Sequence, residues 1–234
     1  MAMGEVHQLL DLRGKQGAIE SNLVPREVVE AAALYMADED NALAFAYSGW
    51  AQCALPHRKA PSDKPWEVSC GRMKLVVEPG WRSSGPNGDG PLEMVGVPYG
   101  AYARLILLYL QTQALRTQSR EVELGRSWRE WMGRIGVPWG GKSGRMVREQ
   151  AELLSRCRLT FHFQGNGGAG LVNQSVVDRA LFIDAPPDGG RQGRLSLETA
   201  KLSEGFYEAL KKHPIPIEES AIRALANNSG ALDC

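Results

Sequence analysis

Residues 105–110 read Leu-Ile-Leu-Leu-Tyr-Leu, and the helical pattern that contains them, 99–115, is apolar on nearly every side. A helix of that kind has no face to offer water, so other elements must enclose it at the centre of a domain. The chain has the means to do so. Its 234 residues, 43% hydrophobic and 23% charged, have an ordinary globular composition and enough length to bury a core without disulfide staples. The apolar run is far short of the roughly 18–20 residues that a membrane span needs. Residues 1–21 read as a polar, aperiodic lead-in with no basic-then-apolar leader. The expectation is a soluble, cytoplasmic protein with no membrane partner and with free thiols at Cys53, Cys70, Cys157 and Cys234.

Past the central helix, Ser127-Trp-Arg-Glu130 has the spacing of a capping box, and Trp128, Trp131, Met132 and Ile135 follow at i, i+3, i+4 and i+7. Gly136 and Pro138 end that helix. After a tight connector, Ser143 is placed to cap a second helix, whose register runs through Met146, Gln150, Leu153, Leu154 and Cys157, with Gln150 as its polar member. Two short helices about a glycine-containing turn make a helix-turn-helix pattern. Leu159, Phe161 and Phe163 then alternate with Thr160 and His162 as in a half-buried strand. Four glycines fall in 164–170, and 171–183 supplies a returning strand or two. This order predicts an α+β fold, a winged helix-turn-helix with a helical N-terminal extension.

Composition shifts place the extension at 1–54, a linker with a short strand at 55–95, the winged-helix domain at 96–212 and the start of a further, truncated module at 213–234. Residues 24–54 are expected to form two helices parted by Asp38-Glu-Asp-Asn41. The short strand falls at 71–79, and 80–98 is expected to be a glycine- and proline-rich loop. A strand is expected at 195–197, a helix at 203–212, a break at 214–217 and a last helix from 218.

Charge narrows the function. The chain balances 27 basic against 27 acidic residues, yet 100–160 holds eleven Lys/Arg and only five Asp/Glu, a surplus of six that the remainder cancels. A basic block inside an acid-compensated chain points to a polyanion partner. Lys142, Ser143, Arg145 and Arg148 lie at the start of the second helix, where the dipole disfavours cations unless an anion sits there. Arginine can address a DNA phosphate or a guanine edge bidentately. Arg120, Arg126 and Arg129 are candidate backbone contacts, and Trp139, in the turn beside Lys142, is a candidate stacking residue. The competing reading is a solvated face in which Arg145 and Arg148 pair with Glu149 and Glu152 at i+4.

Three other chemistries have weaker support. Gly136-Val-Pro-Trp-Gly-Gly-Lys142-Ser143 matches a phosphate-binding loop, with 180–184 as a possible acidic strand, but the motif requires a preceding buried strand and an amphipathic helix precedes it here. The pairs Cys53/His57 and Cys157/His162 lack paired-cysteine spacing for zinc, and Cys157 falls in an apolar register. No Gly-x-Ser-x-Gly turn presents a serine nucleophile. No cofactor, metal or catalysis is expected.

Several ordered stretches resemble the RepA-type replication initiators of plasmids. They are Leu55-Pro-His-Arg-Lys59, residues 71–79, Gly96-Val-Pro-Tyr-Gly100 leading into 105–125 with Thr117-Gln-Ser-Arg-Glu-Val-Glu-Leu124, Gly140-Gly-Lys-Ser-Gly144 and Arg148-Glu-Gln150. Cys157-Arg-Leu159, Leu202-Ser-Glu-Gly-Phe206 and His213-Pro-Ile-Pro216 continue the series. The resemblance spans about 55–233 and implies a winged-helix protein that binds repeated sites on double-stranded plasmid origin DNA. Implied partners are a host replication initiator and the replicative helicase or its loader, with self-association as a dimer. A winged-helix repressor, or a dimerisation module that regulates a full-length initiator, remains an alternative.

Overall fold

In the computed structural model, residues 3–37, 42–84, 89–165, 168–179 and 199–233 are described. The apolar helix is α3, Gly100–Arg116, and residues 103–108, 110–112 and 114 are buried along it. Its surroundings come from distant parts of the chain. Tyr47, Leu55, Leu75, Val122, Trp131, Leu154, Phe161 and Phe206 all belong to the same core cluster as Leu105 and Ile106.

The N-terminal arm consists of α1, Met3–Glu20, interrupted at Gly14, and α2, Arg26–Met36, with Pro25 at its N-cap. The helix replaces the expected loose lead-in, and it is held by a small separate cluster of Val6, Leu10, Ala18, Val24 and Val29. Asp38–Asn41, the expected helix divider, lies outside the described residues. Beyond it the alanine-rich stretch is a strand, β1, Leu43–Tyr47, and not a second helix. The override is tertiary: β1 pairs antiparallel with β11, Pro214–Glu218, the segment expected to be a break. Proline removes donors from that ladder but leaves its carbonyls, which a two-stranded edge tolerates.

Residues 55–95 hold four strands where one was expected: β2, Trp66–Cys70; β3, Met73–Glu78; β4, Gly80–Ser83; and β5, Leu92–Gly96. The anticipated strand is β3, which buries Met73, Leu75 and Val77 on one face. After β6, Glu121–Glu123, come α4, Trp128–Arg134, and α5, Gly141–Arg156. The hairpin that follows, β7, Arg158–Gly165, with β8, Gly168–Ser175, forms as anticipated, yet it is not free-standing. It extends β2–β3 into a four-stranded antiparallel sheet of order β2-β3-β7-β8. The chain runs on into β9, Val177–Arg179, which joins β10, Thr199–Leu202, and β6 in a three-stranded sheet, β6-β10-β9. The expected strand at 195–197 and the end of the returning strand at 180–183 lie outside the described residues.

Ser203 caps α6, Glu204–Lys212, by accepting from the Phe206 amide. α7, Glu219–Leu225, follows β11. The segment that reads as the start of another module is tied into the body. β11 pairs with β1, Arg116 reaches Glu219 at 2.7 Å, and Asp233 accepts from Arg104 Nε at 2.6 Å. No described helix is long and apolar enough to cross a membrane.

Thiol chemistry follows from burial. Cys53 and Cys157 are buried and Cys70 is exposed, and burial pushes the Cys157 thiol up to about 12. Peptide mapping after alkylation at neutral pH is expected to find Cys70 modified within minutes, with Cys53 and Cys157 modified only after denaturant. Early labelling of Cys157 would show that the α5–β7 junction is open.

Candidate nucleic-acid interface

The α4–α5 unit is built by local rules. Ser127 Oγ accepts from the Glu130 amide at 3.1 Å, and the Glu130 carboxylate accepts from the Arg126 amide at 2.9 Å, so the expected capping box closes one residue further back. That hydrogen bond, with Arg134 at 2.9 Å, holds the Glu130 carboxyl below its ordinary range. A depressed folded-state value stabilises above the unfolded one and is lost as pH falls. Thermal melts from pH 6 to 3 should therefore show less acid loss for Glu130→Gln than for the parent chain.

The turn after α4 is a Schellman motif. Gly136 takes φ +74°, its amide donates to Gly133 O, and the Val137 amide donates to Met132 O at 2.8 Å. Alanine at 136 forces a side chain into the left-handed region and should cost roughly 1–2 kcal/mol in denaturant unfolding. Gly140, extended at φ −171°, is the N-cap of α5. Ser143, expected as the cap, sits in the first turn instead, and its hydroxyl donates to Pro138 O at 2.8 Å. Its hydroxyl proton is thereby engaged within the turn. The phosphate-loop match thus spans a helix-to-helix turn; its acidic counterpart at 180–184 lies outside the described residues.

The polar member of the α5 register also has a physical account. Gln150 is fully buried, and its Oε1 accepts from the Tyr99 amide at 2.8 Å, locking α5 to the start of α3. Trp128, Trp131 and Met132 of α4 and Val147, Ala151 and Leu154 of α5 are buried in the common core.

The basic block separates into two populations. Arg104 is buried against Asp233; Arg116 pairs with Glu219, Arg120 with Glu204 at 3.5 Å, Arg134 with Glu123 and Glu130, and Arg156 with Glu152. Arg158 is engaged as well. Among the described residues, Arg126, Arg129, Lys142, Arg145 and Arg148 have no carboxylate within ion-pair distance of their charged groups, and all five are exposed. They share one neighbourhood. Arg126 precedes the α4 cap, Arg129 lies in its first turn, and Lys142 and Arg145 lie in the first turns of α5. Arg148 crosses back to α4, with its guanidinium carbon 5.1 Å from the Trp128 ring centre. Trp139 is half exposed in the connecting turn. Arg120 is the candidate that the structure separates from this group, through its pairing with Glu204 on α6.

The i+4 pairing of the solvated-face reading does not form. Glu149 accepts from Lys59 at 3.0 Å and from the Tyr99 hydroxyl at 3.2 Å, while Glu152 is taken by Arg82 at 3.2 Å and Arg156 at 3.1 Å. The hydrogen bond to Glu149 raises the Lys59 ammonium above its ordinary range. Lys59 and Arg82, from other elements, pair with the two acids of the basic helix, Arg156 of α5 adds to Glu152, and Arg145 and Arg148 are left without a carboxylate among the described residues. Nothing local in the sequence signals Lys59 or Arg82, which lie 90 and 70 residues from the acids they hold. The support that Trp128 gives Arg148 was also missed, since periodicity marks that tryptophan only as core.

The described residues contain no group of three or more His, Cys, Asp or Glu placed to hold a metal ion. Cys53 Sγ lies 3.7 Å from Met73 O and Cys157 Sγ lies 3.6 Å from Leu154 O, as buried thiols do.

Comparison with known proteins agrees with the motif pattern. Residues 97–234, which include α3 and the whole α4–α5 cluster, match the family described as plasmid encoded RepA protein. No curated protein sequence matches. Among solved structures, a crystal structure of selenomethionine derivatives of domains 2 and 3 of RctB is similar, with a TM-score of 0.46 and 15% identity over 71% of this chain and 63% of that one. A second structure, of RctB domains 2–3, gives 0.38 and 15% over 70% and 58%. The chain therefore spans less than two thirds of either RctB chain. With the family match covering well over half of its length, the chain belongs to the plasmid-encoded RepA proteins, the replication initiators that its motifs resemble.

Proposed function

We propose that the protein initiates plasmid replication by binding repeated sites in double-stranded origin DNA, without catalysis of its own. In this reading α3, α4 and α5 with the β6-β10-β9 sheet are a winged helix, and α5 is its groove-facing element. The carrying observation is the separation of charge on α5: Glu149 and Glu152 are held by Lys59 and Arg82, while Lys142, Arg145 and Arg148 have no carboxylate among the described residues. Arg126 and Arg129 add positive charge at the start of α4, and the half-exposed Trp139 ring supplies a stacking surface in the connecting turn.

The acidic remainder of the chain limits attachment to random DNA, because overall neutrality cancels the long-range attraction that a uniformly basic protein would have. Host replication initiator, and the replicative helicase or its loader, are the partners that such a protein brings to the origin, and self-association as a dimer belongs to the same reading. A cytoplasmic location accords with this role.

Footprinting of purified protein on the parent plasmid tests the reading. Protection of several direct repeats beside an AT-rich stretch is expected. Protection of a single inverted repeat over a promoter would indicate a repressor, and no protection anywhere would remove DNA recognition altogether.

A further inference from the structure

We propose that Arg148 is the residue of this site that reads a guanine, and that Trp128 is the positioning residue that holds it ready. The proposal rests on the DNA-binding reading above. The guanidinium carbon of Arg148 sits 5.1 Å from the Trp128 ring centre. That ring is only 8% exposed and lies 5.4 Å from Trp131, so it is a fixed floor. Glu152, which an arginine at 148 would ordinarily meet at i+4, is held by Arg82 and Arg156. Among the described residues the Arg148 N–H groups have no hydrogen-bond acceptor. The guanidinium therefore lies over an aromatic ring while its N–H groups are unspent among the described residues.

Guanine recognition asks for this combination. O6 and N7 lie side by side in the major groove and take two parallel N–H groups from the edge of a planar fork. Stacking on an aromatic face orients the fork and leaves that edge open, which a lysine cannot imitate. Among the described residues the other four cations have neither a stacking partner nor an ion pair, and mobile charges of that kind suit phosphates, whose spacing along the backbone tolerates adjustment. The site thus divides into one positioned reader and several positional anchors.

Selection of bound duplexes from a randomised double-stranded library, repeated at several salt concentrations, tests the division. The parent chain is expected to enrich a motif with a fixed guanine. Arg148→Ala and Arg148→Lys should lose the preference at that base, about 10- to 100-fold, with the rest of the motif and the salt slope retained. Arg145→Ala should keep the motif and flatten the slope by about 0.9. Trp128→Phe should keep the preference and Trp128→Leu should lose it. Because Trp128 is buried, nuclear magnetic relaxation of the arginine Nε–Hε groups in the free parent chain is a second readout, with Arg148 restricted and Arg145 mobile. Retention of the full motif by Arg148→Ala overturns the guanine assignment and leaves DNA binding standing. Equal mobility of the two arginines overturns the role of Trp128. Failure of the parent chain to enrich any duplex removes the DNA-binding reading and this one with it.

Discussion

Alanine at Lys142 and Arg145 together is expected to flatten the dependence of log affinity on log salt by about 1.8, since each phosphate contact contributes a slope of about 0.9. Affinity for origin DNA should fall by roughly 3 kcal/mol, at about 1.5 kcal/mol or more for each charge-assisted hydrogen bond. The thermal midpoint should not move, because neither side chain has an ion pair or a side-chain hydrogen bond among the described residues. Titrations of a labelled duplex at 50–200 mM salt, with parallel melts, give both readouts. A lowered midpoint with an unchanged slope would mean that the pair supports the fold and leaves DNA alone.

Arg104→Met should have the opposite signature. Arg104 is 5% exposed on the central helix, and its guanidinium donates to Asp233 through Nε, to Gly100 O at 3.0 Å and to Leu55 O at 2.7 Å. One side chain thereby joins α3, the loop before β2 and the C-terminal turn. Removing the cation leaves the Asp233 carboxylate without its guanidinium and the Leu55 carbonyl without its donor, while Pro56 O keeps the Gly100 amide at 2.9 Å; breaking a largely buried pair in this way costs up to about 3–5 kcal/mol. Asp233→Asn should cost less, because Asp233 is partly exposed and the carbonyl contacts survive. Urea unfolding measures both. Equal, small losses would mean that water already solvates the pair. The salt slope for DNA should be unchanged in either variant, since Arg104 faces the core.

These two arginines sit in one basic block, and the sequence did not separate them. What it did show well was local. The apolar run at 105–110, the Ser127 cap, the stop at Gly136 and the alternation of Leu159, Phe161 and Phe163 all depend on neighbours within a few residues, and each took the expected form. Long-range pairing was not visible. The alanine-rich stretch of β1 reads as helix until β11 supplies a ladder, and β2 reads as linker until β3, the strand that was expected, pairs with it. α1 escaped notice because its apolar residues bunch at 6–12 and 18–19 on either side of Gly14, and only a small cluster with α2 holds it. At the site the cations were identified by position alone. Which of them are spoken for depended on Lys59, Arg82, Glu204 and Asp233, which lie far away in the chain. The fate of Glu149 and Glu152 in particular decided between a solvated face and an open one.

The most direct test of the central claim is an equilibrium titration of the parent plasmid's origin duplex, compared with a scrambled duplex of the same composition, across 50–200 mM salt. Tighter binding to the origin and a log–log slope of about −3.6 or steeper are expected, for four phosphate anchors at about 0.9 each. Equal affinity for the two duplexes, or a slope near zero, would contradict that claim.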